Sequence, residues 1–168
     1  MRRVGHFELA QVNVATPSTP LSSPELAWFT DALDAVNTVA DAAPGFRWRL
    51  QSEAGDATSL RVFDDDDMII NMSVWASLEA LADFVYRDPT HVAVLRQRRK
   101  SFPPLAEAHQ TLWWVPAGHR PSITEAEERL CWLRDHGPTS YAFTFKTPFP
   151  ASGKNEATTA DAGWFCPA

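Results

Sequence analysis

Five stretches of the chain alternate apolar with polar or aromatic side chains, the period of two that marks strands, and three others repeat apolar residues at helical spacing. In Phe7–Ala15 the residues Ala10, Val12 and Val14 share one face, and Leu9, Gln11 and Asn13 share the other. Met68–Trp75 divides the same way. Met68, Ile70, Met72 and Val74 oppose Ile69, Asn71, Ser73 and Trp75. The uniformly apolar face suits packing under helices. The other, with amides, a hydroxyl and an indole, reads as a pocket face. Phe46–Gln51 predicts a strand with Phe46, Trp48 and Leu50 inward and Arg47 and Arg49 outward. Gln110–Val115 and Tyr141–Thr147 complete the set.

The first helix is expected after the proline-rich loop Thr16–Pro24, with Ser22 or Ser23 as cap and Pro24 in its first turn. Its stripe is Leu26, Phe29, Leu33, Val36, Val39 and Ala40, and Pro44–Gly45 stops it. Ser77 caps a second helix with Leu78, Leu81, Phe84 and Val85 buried. That helix is expected to end near Asp88–Pro89, leaving His91 and the run Arg96–Lys100 as a polar rim. Ser122 and Glu125 have capping-box spacing ahead of a third helix marked by Ile123, Ala126, Leu130 and Leu133. Ser52–Asp67 is a long polar loop, and its aspartates Asp64–Asp67 lack the alternating spacing of a calcium loop.

The order β-α-β-β-α-β, followed by α-β, is the ferredoxin-like split βαβ pattern. It predicts an α+β fold with an antiparallel sheet, helices on one face and a C-terminal αβ extension. The opposite face, with Trp48, Trp75, one of Trp113 or Trp114, and several amides, would be costly to leave wet. A second copy packed face to face is the expected remedy, giving a homodimer with the pocket between or within the sheets. Residues 1–150 are read as the domain and 151–168 as a tail docking through Trp164–Phe165.

At 168 residues and 45% hydrophobic the chain can bury a real core. A net charge of −6 argues against general nucleic-acid binding. Two cysteines, Cys131 and Cys166, give neither a disulfide framework nor zinc spacing, and Cys131 reads as a buried thiol. Neither a signal peptide nor a run of ~20 apolar residues is seen, so a cytoplasmic protein without a membrane partner is expected. No Ser-His-Asp order, phosphate-cradling glycine loop or H-E-x-x-H occurs.

The phrases Ile70–Trp75, Phe84–Arg87 with His91, Leu112–Gly118, and Gly137-Pro-Thr with Ala142–Phe145 resemble one bacterial family of the dimeric α/β-barrel superfamily. That superfamily holds the antibiotic-biosynthesis monooxygenases. The resemblance implies a small enzyme that oxidises a hydrophobic, aromatic, polyketide-type metabolite without metal or flavin. Asn71 and Trp75 match the Asn and Trp spaced four apart on the third strand of the quinone-forming members. The amide would hold an oxyanion and the indole would lie on the substrate ring. The supporting tyrosine of that group has Leu81 in its place, with Tyr86 the nearest phenol. His91 would move a proton, an imidazole being suited to this near neutral pH. Gln11, Asn13, Trp48, Tyr86 and Trp113 are the expected substrate contacts, and Arg96 or Arg99 would meet an acidic group. A haem-degrading branch offers a second template through Asn13, Phe84 and His91. An isomerase or cyclase in the same pocket, and a non-catalytic ligand-binding dimer, complete the alternatives.

Overall fold

The computed structural model describes residues 6–52, 58, 60–105 and 107–151. Strands β1 (Phe7–Ala15), β2 (Phe46–Arg49), β3 (Ile69–Trp75) and β4 (Gln110–Pro116) form one antiparallel sheet in the order β2-β3-β1-β4. Helices α1 (Ala27–Ala42), α2 (Leu78–Arg87), α3 (Pro89–Ser101) and α4 (Ile123–His136) surround it. This is the ferredoxin-like α+β arrangement expected. Register between the central strands pairs Leu9 with Trp75, Gln11 with Ser73 and Asn13 with Asn71. The polar positions of both strands therefore fall on one face.

The faces are covered otherwise than expected. Strands β1 and β2 run parallel with β3 between them, so α1 is a crossover whose hand decides its side of the sheet. It lies with α2 and α3 over the face bearing Gln11, Asn71, Ser73 and Trp75. The plain face of Ala10, Val12, Val14, Ile70, Met72 and Val74 is buried instead by Ala126 and Leu130 of α4 and by Val62. Half-buried Leu60, Phe63, Leu105 and Ala108 extend that cover. Neither face is bare, so the reason for seating a second copy on the sheet does not arise in this structure.

Several elements differ in detail from the sequence reading. Pro24 opens a 3-10 turn, Pro24–Leu26, and α1 begins at Ala27. Asp88–Pro89 does not end the helical region. It starts α3, with the Asp88 carboxylate accepting the His91 backbone N–H at 3.0 Å and Pro89 in the first turn. The register of β2 against β3 shifts between Phe46 and Trp48, so Phe46 opposes Trp75 while Trp48 opposes Val74. That bulge turns Phe46 and Trp48 to opposite faces. The expected fifth strand reduces to one bridge, Phe143 with Leu112, through backbone hydrogen bonds of 2.8 and 2.9 Å. The segment after it stays packed because Trp114 Nε1 donates to the Phe149 carbonyl at 2.8 Å.

Ser77 caps α2 by accepting the Ala80 N–H at 3.1 Å, as expected. Ser122 caps α4 at the same distance, but only half the capping box forms. The Glu125 carboxylate is drawn instead to Trp113 Nε1 at 2.9 Å and His119 Nε2 at 2.7 Å. Cys131 is buried on α4 and disulfide-bonded, not the free thiol expected. The proposed contact through Trp164–Phe165 lies outside the described residues. Among those described, no helix is long and apolar enough to cross a membrane.

Gly45 fits α2 against the turn between α1 and β2. Its φ is +84°, and an added Cβ would meet the Ala80 Cβ at 2.6 Å. Gly118 has nearly the same φ, +85°, with nothing within 4 Å. Gly118→Ala should therefore cost roughly 1 kcal/mol of backbone strain alone. Gly45→Ala should cost about 1–3 kcal/mol more from the clash. Urea unfolding of both variants checks this, and equal losses would show that the Ala80 contact is not tight.

Candidate active site

A cavity of about 730 Å3 lies between the polar sheet face and helices α1, α2 and α3. Ala32, Leu33, Val36 and Ala40 of α1 form its roof, so the apolar stripe of that helix borders open space instead of resting on the sheet. Aromatic clusters hold the roof up at both ends. Phe29 of α1 meets Phe102, just beyond α3, with ring centroids 4.9 Å apart. At the other end Phe46 stands edge-on to Trp75 at 5.4 Å, and Phe84 of α2 stacks on Trp75 at 5.2 Å. His91 lies 4.8 Å from Phe84, next in this line of rings.

The floor is a hydrogen-bonded chain across β1 and β3. The Gln11 amide donates to Asn71 Oδ1 at 2.7 Å and to Ser73 Oγ at 2.9 Å. Trp75 Nε1 donates to the same Ser73 oxygen at 2.8 Å. The indole N–H is therefore committed to the floor, and the Trp75 ring, 1% exposed beneath Phe84 and Phe46, is core at the edge of the cavity and not the open face expected from the sequence. Two donors remain free of protein partners among the described residues: the Asn71 side-chain N–H2 and the Ser73 hydroxyl proton, since Ser73 Oγ already accepts twice.

His91 is held from two sides. Its backbone N–H is fixed by the Asp88 cap, and its Nδ1 lies 3.0 Å from the Val85 carbonyl. A carbonyl has no proton to give, so Nδ1 carries the hydrogen and Nε2 keeps the lone pair. Burial pushes the pKa of this imidazole below the ordinary 6.5, and the nearby Arg98 charge adds to that. The Val85 carbonyl and the Asp88 carboxylate oppose the shift without cancelling it. The group is a neutral base at neutral pH.

Of the residues singled out in the sequence, Gln11, Asn13, Asn71, Trp75, Tyr86 and His91 all line this cavity. Tyr86 does so from the rim, 59% exposed, with its ring against Phe145 at 5.4 Å. Trp48 and Trp113 belong to the cluster on the opposite face of the sheet, away from the cavity. Arg96 is exposed on α3 and does not line it. Arg98 takes the inward place, its Nη2 donating to Asn13 Oδ1 at 3.1 Å. The spacing of His91, Val94, Leu95, Arg98 and Phe102 is the signal that would have found it, once α3 is recognised as a helix. For the haem template, Asn13 and His91 line the cavity, and Phe84 occupies the place of the tryptophan by stacking on Trp75. Among the described residues, no group of three or more His, Cys, Asp or Glu side chains is placed to hold a metal ion.

A family model described as a domain of unknown function, DUF3291, matches residues 8–159. The chain is a DUF3291 protein. Solved structures similar to it include a protein of Nitrosomonas europaea provisionally named an antibiotic biosynthesis monooxygenase. That match has 12% identity and a TM-score of 0.46 over 73% of this chain and 100% of the other. SnoaB, a cofactor-independent oxygenase from Streptomyces nogalater, matches at 16% identity and a TM-score of 0.41, over 67% and 95%. Rv0793 from Mycobacterium tuberculosis matches at 15% and 0.43, over 68% and 99%. No curated protein matches. At such scores these likenesses carry nothing about chemistry, and the ferredoxin-like fold of the DUF3291 chain stands on its own strand order.

The geometry predicts two measurements. Ser73→Ala removes the acceptor of the Trp75 N–H and one of the two acceptors of Gln11. It should destabilise the fold by about 1–3 kcal/mol in urea unfolding, and a loss under a few tenths would mean that the floor is not a connected network. In a proton NMR titration, the His91 ring should titrate below 6.5. The folded protein then binds fewer protons there than the unfolded chain, so this group's contribution to stability falls as pH drops from 6.5 towards the folded value.

Proposed function

We propose that this protein is a small enzyme that removes a proton from a hydrophobic aromatic metabolite and lets the resulting anion react with oxygen, without metal or flavin. The observation that carries the reading is His91. It is a neutral imidazole whose Nδ1–H is tied to the Val85 carbonyl, leaving an Nε2 lone pair as base at a cavity of about 730 Å3. The remaining parts follow from the floor and walls. Half-buried Phe84, backed by the buried Trp75 ring, presents the aromatic surface on which a planar substrate packs. Asn71 and Ser73 supply the unused donors for a ring oxygen further along the floor, onto which the charge spreads through the conjugated rings as the proton leaves. Phe46, Leu81 and the α1 roof make the walls around the base apolar, while exposed Asn71 keeps the other end of the floor open to solvent. Taking a proton from an activated ring methylene in this way yields an electron-rich carbanion that passes an electron to O2 and joins the superoxide formed as a peroxide, which takes the proton back from His91 and loses water to leave a ring carbonyl.

The test is a panel of polycyclic phenols and aryl ketones with an acidic C–H, followed by oxygen uptake and product analysis. His91→Gln should lower kcat by about 100-fold or more, and Asn71→Ala should lower it by a similar factor. The base works only when neutral. The acid limb of kcat/KM should therefore fall below 6.5, with a plateau above. A His91→Gln variant as active as the native protein would remove the assignment. Ligand binding without turnover of any panel member would leave a binding protein.

A further inference from the structure

The charges around the cavity are one-sided. The chain as a whole is acidic, with 21 Asp and Glu against 15 Lys and Arg. Yet Arg49, Arg98 and Arg99 line the cavity, and no aspartate or glutamate among the described residues does. Arg49 is paired with Asp41 at 2.8 Å, and Arg99 is exposed. Arg98 is different. It is half-buried, and among the described residues it has no carboxylate within ion-pair distance. Of its five N–H donors, one reaches Asn13 Oδ1 at 3.1 Å, and the guanidinium lies over the Phe102 ring at 5.2 Å. Burial pulls its pKa down from the ordinary value, the sign of a charge stripped of water without an anion to replace it. A guanidinium still stays charged under these conditions.

We infer that Arg98, steadied by Asn13, is the anion end of the substrate site, and that the ligand is an aromatic carboxylic acid. This rests on the reading of the cavity as a site for an aromatic metabolite. The planar guanidinium fork matches a carboxylate through two parallel hydrogen bonds, and Arg98 has the free donors for both. Its position sets the length of the ligand. His91 and Arg98 are seven residues apart on α3, two turns on one face, which is about 10 Å along the axis. The strand beneath gives a second ruler. Asn71, which pairs with Asn13, is four residues from Trp75, about 13 Å along β3. The cavity is thus a slot with a base and stacked rings at one end and a guanidinium at the other. A fused-ring acid with its carboxylate about 10 Å from the ionising C–H spans it.

The test uses 2-naphthoate and the neutral isostere 2-naphthamide as probes, titrated calorimetrically at neutral pH. The native protein should bind the acid about 10- to 100-fold more tightly, the range expected of a charge-assisted pair. Arg98→Met should abolish that preference by weakening the acid far more than the amide, and Arg98→Lys should keep part of it. Equal affinity of the native protein for the two probes, binding of neither, or an Arg98→Met loss shared equally by both overturns the inference. If Arg98→Met fails to fold, the native comparison and Arg98→Lys decide. Acid preference without oxygen uptake from any acidic member of the panel would overturn the enzyme reading and leave the subsite standing. Turnover of neutral phenols with no acid preference would overturn the subsite alone.

Discussion

The Gln11 amide, donating across β1 and β3 to Asn71 and Ser73, is the interaction on which the site depends. It lies in the middle of the sheet, where an unpaired amide would be costly, and its partners exist only because the two strands run in this register. A shift of β3 by one residue would send Asn71 and Ser73 into the apolar cluster against α4 and strip Gln11 of its acceptors. It would also bring Met72 and Val74 under α1. The same register that satisfies the amide therefore keeps the floor polar. A polar floor is a poor seat for the apolar stripe of α1, and the helix stands off from it.

Standing off requires supports, and the aromatic residues supply them. The Phe29–Phe102 contact at one end and the Phe46–Trp75–Phe84–His91 line at the other leave the middle of α1 spanning open space. The last of these rings joins support to chemistry. His91 is packed on Phe84, tied through Nδ1 to the last turn of α2, and held by backbone to the cap of α3. Its orientation is a property of the junction between two helices, not of its own side-chain preferences.

Much of this was legible in the chain. Strict alternation in Phe7–Ala15 and Met68–Trp75 identified the strands, the polar face and the cavity-lining residues Gln11, Asn13, Asn71 and Trp75. Ser77 and Ser122 announced their helices through cap chemistry. Alternation, however, distinguishes two faces without saying what covers each, and the handedness of the β1-α1-β2 crossover decided that. Pro89 reads as a stop, although Asp followed by Pro is equally a cap and first turn. The run of basic residues masks the apolar side of α3, so Arg96 stands out in the sequence and Arg98 does not. Alternation places Trp48 with Phe46 because a bulge leaves no mark in a four-residue strand.

That bulge has an evolutionary consequence. Between Phe46 and Trp48 the extra residue, Arg47, loops out and has its guanidinium anchored to Glu8 at 3.1 Å. Losing that one codon would make the ladder regular without moving any other side chain, since Phe46, Trp48 and Arg49 already oppose the successive residues Trp75, Val74 and Ser73. Only the tie to Glu8 would go. A relative could in this way gain or lose the Arg47 anchor at the sheet edge by insertion or deletion, with the faces of β2 left as they are.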